Sequence, residues 1–148
     1  MIAVIQRVKS AAVRIEGNVH CYIGRGLLIL LGVKKTDSEQ NAELLADKIA
    51  LLRIFSDQEG KMNLSVGDVD GEVIVVSQFT LCTDNGKSGN RPSFASAEVP
   101  ERAIPLYEYF VQKLGQKLPP QRVKTGVFAA MMEVELVNDG PVTIILEK

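Results

Sequence analysis

The sequence predicts an α+β fold, a largely antiparallel sheet with two main helices. Three observations carry that expectation. Short stretches of alternating or continuously apolar residues gather at both ends of the chain. Two amphipathic segments at helical spacing lie between them. Turn residues separate the pieces in the order strand-rich, helix, strand, helix, strand-rich. With 148 residues, 46% of them hydrophobic, the chain has the size and apolar content of one domain, residues 1–148, around one core.

Ile2 to Val8 reads as a strand by its alternation, which resumes at Val13 and Ile15 before Gly17-Asn18, an expected hairpin turn into a returning strand from Val19 to Ile23. After Gly24-Arg25-Gly26, the run Leu27 to Val33 is apolar throughout, as in a strand buried on both faces. Asp37 with Gln40 has the form of a capping box, and Ala42, Leu45, Ile49 and Leu52 then recur on one helical face. A turn around Gly60 follows Asp57, and Glu72 to Phe79, rich in valine, reads as a further strand. Thr83 to Pro92 is a polar loop. Pro100 suits a first helical turn, Ala103, Leu106 or Tyr107, Phe110 and Leu114 form an apolar face, and Pro119-Pro120 ends that helix. Two strands, Met131 to Val137 and Val142 to Glu147, are expected to close the chain, joined by a turn at Asn138-Asp139-Gly140-Pro141. Several short strands in so small a chain close into a barrel or pair their edges with a second copy, which points to a homo-oligomer.

Composition excludes several classes of function. The longest apolar run is far shorter than the roughly 20 residues a membrane span needs. The N-terminus lacks the pattern of a secretory signal, so the cytoplasm is the expected compartment. Two cysteines without CxxC spacing, Cys21 and Cys82, fit reduced thiols. A net charge of −1 argues against strong nonspecific binding to nucleic acid, which needs a cationic excess. Lys34-Lys35, Lys87 with Arg91, and Arg122 with Lys124 could each touch a few phosphates, or simply be solvated charges.

The usual catalytic materials are scarce. His20 is the only histidine, which leaves a Ser-His-Asp device or a histidine metal site without its parts. Gly86-Lys87-Ser88 fails as a P-loop because Leu81 stands where that motif needs glycine. Asn63-Leu64-Ser65 matches a glycosylation acceptor by chance, and Glu133 with Glu135 reads as the solvated face of a strand. What remains is a polar group ending an apolar strand, Ser77-Gln78-Phe79-Thr80, and the Gly140-Pro141 dipeptide. Taken separately, the first could be a strand end whose hydroxyls satisfy backbone groups and the second an ordinary turn.

Together, Ser77-Gln78-Phe79-Thr80-Leu81 and Asn138-Asp139-Gly140-Pro141-Val142-Thr143 resemble the two signature motifs of the D-aminoacyl-tRNA deacylase family. The resemblance extends in order through Ile5-Gln6-Arg7-Val8, Arg53-Ile54-Phe55-Ser56-Asp57, Gly60-Lys61-Met62-Asn63-Leu64 and Gly89-Asn90-Arg91-Pro92-Ser93-Phe94, essentially the whole chain. It implies a homodimer of barrel-like subunits. In it a cis Gly140-Pro141 peptide reaches into the partner's active site beside Ser77 to Thr80 and rejects L-aminoacyl esters by backbone crowding.

The implied reaction is hydrolysis of the ester linking a D-amino acid to the tRNA acceptor end. Amides near Phe79 and Thr80 would hold the oxyanion, Gln78 would position substrate, and the terminal ribose 2′-hydroxyl would assist water. Thr80 as covalent nucleophile is the alternative chemistry. Glycine lacks a β-carbon, so glycyl-tRNA, including that mischarged on tRNA-Ala, is expected to be cleaved too. Arg7 would anchor the Gly140-Pro141 segment, with Phe94 and Met131 near the adenosine; edge-strand exposure for Arg7 and core packing for the other two are the competing readings. The resemblance implies no metal or organic cofactor, no membrane and no requirement for DNA. A noncatalytic module binding an RNA end or small ligand, and a thiol hydrolase using Cys82, are the other readings.

Overall fold

The computed structural model describes residues 1–84 and 90–148. Gly86-Lys87-Ser88, Gly89 of the loop motif and the Lys87 member of the basic pair with Arg91 lie outside these. The elements are β1 (Ile2–Ile15), β2 (Asn18–Ile23), β3 (Gly26–Gly32), α1 (Glu39–Ala50), β4 (Phe55–Ser56), β5 (Met62–Leu64), β6 (Glu72–Ser77), α2 (Pro100–Lys117), β7 (Val123–Thr125) and β8 (Glu133–Glu147). Short 3₁₀ turns cover Phe79–Cys82 and Pro120–Arg122.

The main sheet runs β2-β1-β3-β6-β7, with β8 also on β1. β1 is antiparallel to β2, β3 and β8, whereas β3–β6 and β6–β7 are parallel, so the sheet is mixed rather than largely antiparallel. The cause is connectivity: α1 and the small β4–β5 hairpin intervene between β3 and β6, and such a crossover returns the chain in the same direction. The strand β1 is long enough to serve two neighbours on one side, pairing Ile2 to Val8 with β3 and Ala11 to Ile15 with β2. The sheet thereby curls into a nearly closed, barrel-like surface.

β3 is buried on both faces as its composition predicts, and its alternate residues feed different cores. Leu27, Ile29 and Leu31 pack with Leu45 and Ile49 of α1 and Phe110 and Leu114 of α2. Leu28 joins Val8, Val13, Ile23, Ile74 and Val76 on the opposite face, closed over by Met132, Val134 and Leu136. Burial of each such large side chain contributes about 1.5–3 kcal/mol.

Both helices follow their sequence periodicity, with adjusted ends. The N-cap of α1 is Ser38, whose amide donates to Asn41 Oδ1 at 2.9 Å. Asp37, expected in that role, instead accepts from the Lys34 amide and the N-terminal ammonium. The helix ends at Ala50, leaving Leu52 beyond it. On α2 the buried face is Ala103, Tyr107, Phe110 and Leu114, and Pro100 occupies the first turn. The first hairpin turns at Glu16-Gly17, both at positive φ (50° and 78°), one residue earlier than Gly17-Asn18. No helix among the described residues is long and apolar enough to cross a membrane.

The largest departure lies at the C-terminus. Glu133–Glu147 is one strand, with both halves paired to β1, and no hairpin forms at residues 138–141. Val8 pairs with Asn138 and Gln6 with Thr143, so Asp139, Gly140, Pro141 and Val142 together stand opposite the single residue Arg7. The surplus chain forms a bulge, because the pairing on either side fixes both of its ends.

Candidate functional site

The motif at residues 77–80 sits where β6 ends. Ser77 is the last paired residue, opposite Leu31. The Gln78 amide still donates to the Leu31 carbonyl at 2.8 Å, after which the chain tightens into the 3₁₀ turn of Phe79–Cys82. The first bond of that turn runs from the Leu81 amide to the Gln78 carbonyl at 3.2 Å, so the turn's own bonding does not use the amides of Phe79 and Thr80. The turn rests closely on β3 at Gly32. A β-carbon built there would lie 2.9 Å from Cys82 Sγ and 3.1 Å from the Gln78 carbonyl oxygen, so glycine is what lets the two segments approach.

Beside this turn opens a groove of about 580 Å³. Ser77, Gln78 and Phe79 form one wall, and Phe128, Met131 and Met132, from the segment between β7 and β8, form another. Met131 is 92% exposed and Phe79 56%, so both present apolar surface at the groove instead of burying it. Core packing is thereby excluded for Met131. Phe94 lies against the outer site residue, its ring edge-on to Phe79 at 5.2 Å between centroids. Thr80 is held by Gln78, whose Nε2 donates to Thr80 Oγ1 at 2.5 Å.

The Gly140-Pro141 peptide is cis, and Gly140 has φ of +134°, a conformation that disfavours any side chain. Arg7 holds the bulge. It is 9% exposed on a strand paired on both sides, which overturns the edge-strand reading. Its Nε donates to the Asp139 carbonyl at 2.9 Å and lies 3.2 Å from the Asp139 carboxylate, while Nη1 donates to the Ile54 carbonyl.

Within one chain the two motifs do not meet. Arg7 stands opposite Leu27 and Ser77 opposite Leu31, four residues farther along β3, or roughly 13 Å at the usual strand rise. Neither Gly140 nor Pro141 lines the groove.

Other candidates take ordinary roles. Cys82 is fully buried with its thiol directed to the Val33 carbonyl, and burial pushes its ionisation up, as it does for Cys21, so neither thiol is poised as a nucleophile. His20 is exposed on β2. Glu133 and Glu135 face solvent, with Glu135 accepting from Arg14 at 2.8 Å. Arg122 and Lys124 are paired at 2.8 Å with Asp70 and Glu72, and Lys34 with Glu147, which ties these three cations into internal ion pairs. The Lys124 contact and the Gly24 amide hold the Glu72 carboxyl below the usual range.

Of the far wall of the groove, sequence reasoning named only Met131. Phe128-Ala129-Ala130-Met131-Met132 is apolar without the period of either a helix or a strand, a pattern that in a loop signals surface meant to be covered. Ala129 at φ 61° shapes this segment.

The profile of the D-Tyr-tRNA(Tyr) deacylase family matches residues 4–147. A D-aminoacyl-tRNA deacylase of Koribacter versatilis is 59% identical over 99% of this chain and 97% of its own length; one from Cytophaga hutchinsonii is 54% identical with the same coverage. Among solved structures, the c-Myc DNA Unwinding Element Binding Protein superposes with a TM-score of 0.94 at 42% identity, covering 100% of this chain and 99% of that one. A probable eukaryotic D-amino acid tRNA deacylase, at 13% identity and a TM-score of 0.82, shares the fold. With full-length matches at these identities, the chain belongs to the D-Tyr-tRNA(Tyr) deacylase family.

Proposed function

We propose that this protein hydrolyses the ester of D-aminoacyl-tRNA, releasing the amino acid and tRNA, and spares L-aminoacyl-tRNA. The observation that carries the reading is the open groove walled by Ser77, Gln78 and Phe79, beside two amides that the adjoining turn does not consume. The acceptor-end adenosine lies against the apolar Phe128–Met132 wall, and the ester carbonyl points at the amides of Phe79 and Thr80. Water adds to the carbonyl carbon with help from the ribose 2′-hydroxyl, those amides hold the developing oxyanion, and the bond to the ribose oxygen breaks as that oxygen takes a proton. Gln78 orients the ester, and Thr80 acts through Gln78.

The bulge at residues 139–142 serves the groove of a second copy. Its separation from residues 77–80 within one chain supports a homodimer in which Gly140 and Pro141 of one subunit face the α-carbon bound in the other. Backbone oxygens at that carbon admit hydrogen and exclude an L side chain, so discrimination requires no contact with the side chain itself. Glycyl-tRNA then passes as well. Contact with only the acceptor end is compatible with a pI near 5.9, since few phosphates are neutralised. A tRNA substrate supports a cytoplasmic protein acting alongside translation.

Parallel time courses with D-tyrosyl-tRNA and L-tyrosyl-tRNA, in the presence of chelator, test this reading. The D ester is expected to disappear rapidly with the L ester intact. Equal cleavage would leave an esterase without proofreading, and binding without cleavage of either ester would leave a noncatalytic nucleic-acid-end binder.

A further inference from the structure

The hold of Arg7 on the bulge depends on what lies beneath it. The guanidinium carbon of Arg7 stands 6.0 Å from the ring centroid of Phe55, and its Nη1 bonds the carbonyl of the preceding residue, Ile54. Arg25 brings a second guanidinium to 5.2 Å from the same ring. Phe55 itself is fully buried, on the short strand β4. The turn after it is fixed by Asp57, whose carboxylate accepts from the amides of Glu59 and Lys61 at 2.9 Å each and from Asn63 Nδ2 at 2.7 Å. The hairpin is thus a rigid base, and its ring contributes no hydrogen-bonding atom of its own.

An arginine head carries donors in a fixed planar fork on a long flexible stem, so its reach is defined only when something fixes the plane and depth of the head. An aromatic ring attracts a cation without competing for its hydrogen bonds. That leaves Nε free for Asp139 while Nη1 is tied to Ile54. The clearance around the bulge is small: a β-carbon added at Gly140 would stand 3.3 Å from Arg7 Nη2, so a shift of the guanidinium is felt directly by the peptide that contains Gly140.

We infer that Phe55, together with the backbone of Ile54, is a positioning residue that sets how far the Gly140-Pro141 bulge projects, and so how strictly L-aminoacyl esters are refused. This rests on the reading of the bulge as the chirality filter. Phe55 touches no substrate and acts wholly through Arg7.

The test compares Phe55→Leu and the volume-conserving Phe55→Met with Phe110→Leu, a fully buried phenylalanine of α2 whose loss loosens the core without touching Arg7. Deacylation of D- and L-tyrosyl-tRNA is measured well below each variant's Tm, alongside hydrogen–deuterium exchange over residues 138–143. The Phe55 variants are expected to lose about tenfold in D-over-L preference, between the scales of an exposed and a desolvated cation–π contact, and to exchange faster across that segment. Phe110→Leu should retain the wild-type ratio and exchange. A wild-type ratio in the Phe55 variants, or an equal loss in Phe110→Leu, overturns the inference. If the wild type does not discriminate, the filter reading fails; unchanged exchange in the Phe55 variants would still overturn the placement of Phe55.

Discussion

The two motif segments are held in opposite ways. The Ser77 to Cys82 segment is held by contacts with the strand beside it: the Gln78 amide on Leu31, the Cys82 thiol on Val33, and close approach at Gly32. These supports are mostly backbone and redundant. The bulge at Asp139 to Val142 is paired with β1 at its two ends and held between them by one side chain, Arg7, which lies 132 residues from Asp139 in sequence and supplies donors to two separate carbonyls. The difference parallels the proposed division between chemistry and selection: the wall proposed to meet the ester rests on several contacts with β3, whereas the segment proposed to read chirality depends on one side chain between its paired ends.

Breaking the arginine should produce the largest effect. Arg7→Ala leaves the Ile54 and Asp139 carbonyls without their donor in a largely buried setting, and each such group costs about 1–3 kcal/mol. The Tm should fall, and the ratio of D- to L-tyrosyl-tRNA hydrolysis should drop by about 100-fold, the equivalent of two such groups, as the bulge loses its fixed projection. Parallel deacylation time courses check this. An unchanged ratio in a folded variant would mean that the strand pairing on either side of the bulge suffices to hold it, and the proposed division of labour would fail.

The complementary change is Gly32→Ala. Its β-carbon would meet Cys82 Sγ at 2.9 Å and Ile2 Cγ2 at 3.0 Å, with the Gln78 carbonyl at 3.1 Å, so the 3₁₀ turn must shift away from β3. Hydrolysis of D-tyrosyl-tRNA should slow by about tenfold, because sub-ångström misplacement of positioned groups is costly. The D-over-L ratio should stay at its wild-type value, since the bulge is untouched. A ratio that fell together with the rate would show that wall and filter are coupled, and measuring kcat separately from KM would show whether binding or chemistry carries the loss.

The same division explains what could be read from the sequence. The apolar faces of both helices and the buried strand Leu27 to Val33 were legible because period and composition are local properties. Ser77 to Thr80 stood out as polar residues ending an apolar strand. The parallel pairing of β3, β6 and β7 was not legible, since direction depends on a crossover that no local pattern encodes, and β7, three residues long, gave no periodic signal. Asn138-Asp139-Gly140-Pro141 has the local chemistry of a turn; pairing with β1 on both sides overrides that propensity and makes it a bulge. The resemblance tied Arg7 to the Gly140-Pro141 segment, but its burial and contacts were not legible locally, because its partners, Ile54 and Asp139, lie far away in the chain. Met131 was expected near the adenosine, yet the wall to which it belongs emerges only when Phe128 to Met132 is seen facing Ser77 to Phe79 across open space.

The smallest predicted effect bears on the chemistry of the wall itself. Thr80 carries the only side chain of its turn that could serve as a nucleophilic hydroxyl, but that oxygen accepts a hydrogen bond from the Gln78 side-chain Nε2, an arrangement that positions Gln78 and does nothing to remove the hydroxyl proton. Thr80→Val keeps the shape and deletes the acceptor, so the cost should be that of one neutral hydrogen bond, about three- to tenfold in kcat. A nucleophile would give a different result: replacing it should abolish turnover, and a covalent aminoacyl-enzyme should be trapped from the wild type on rapid acid quench. Retained turnover in Thr80→Val would assign the chemistry to the amides of Phe79 and Thr80, which the substitution preserves, and would explain how a chain with one exposed histidine and two thiols whose ionisation is pushed up hydrolyses an ester.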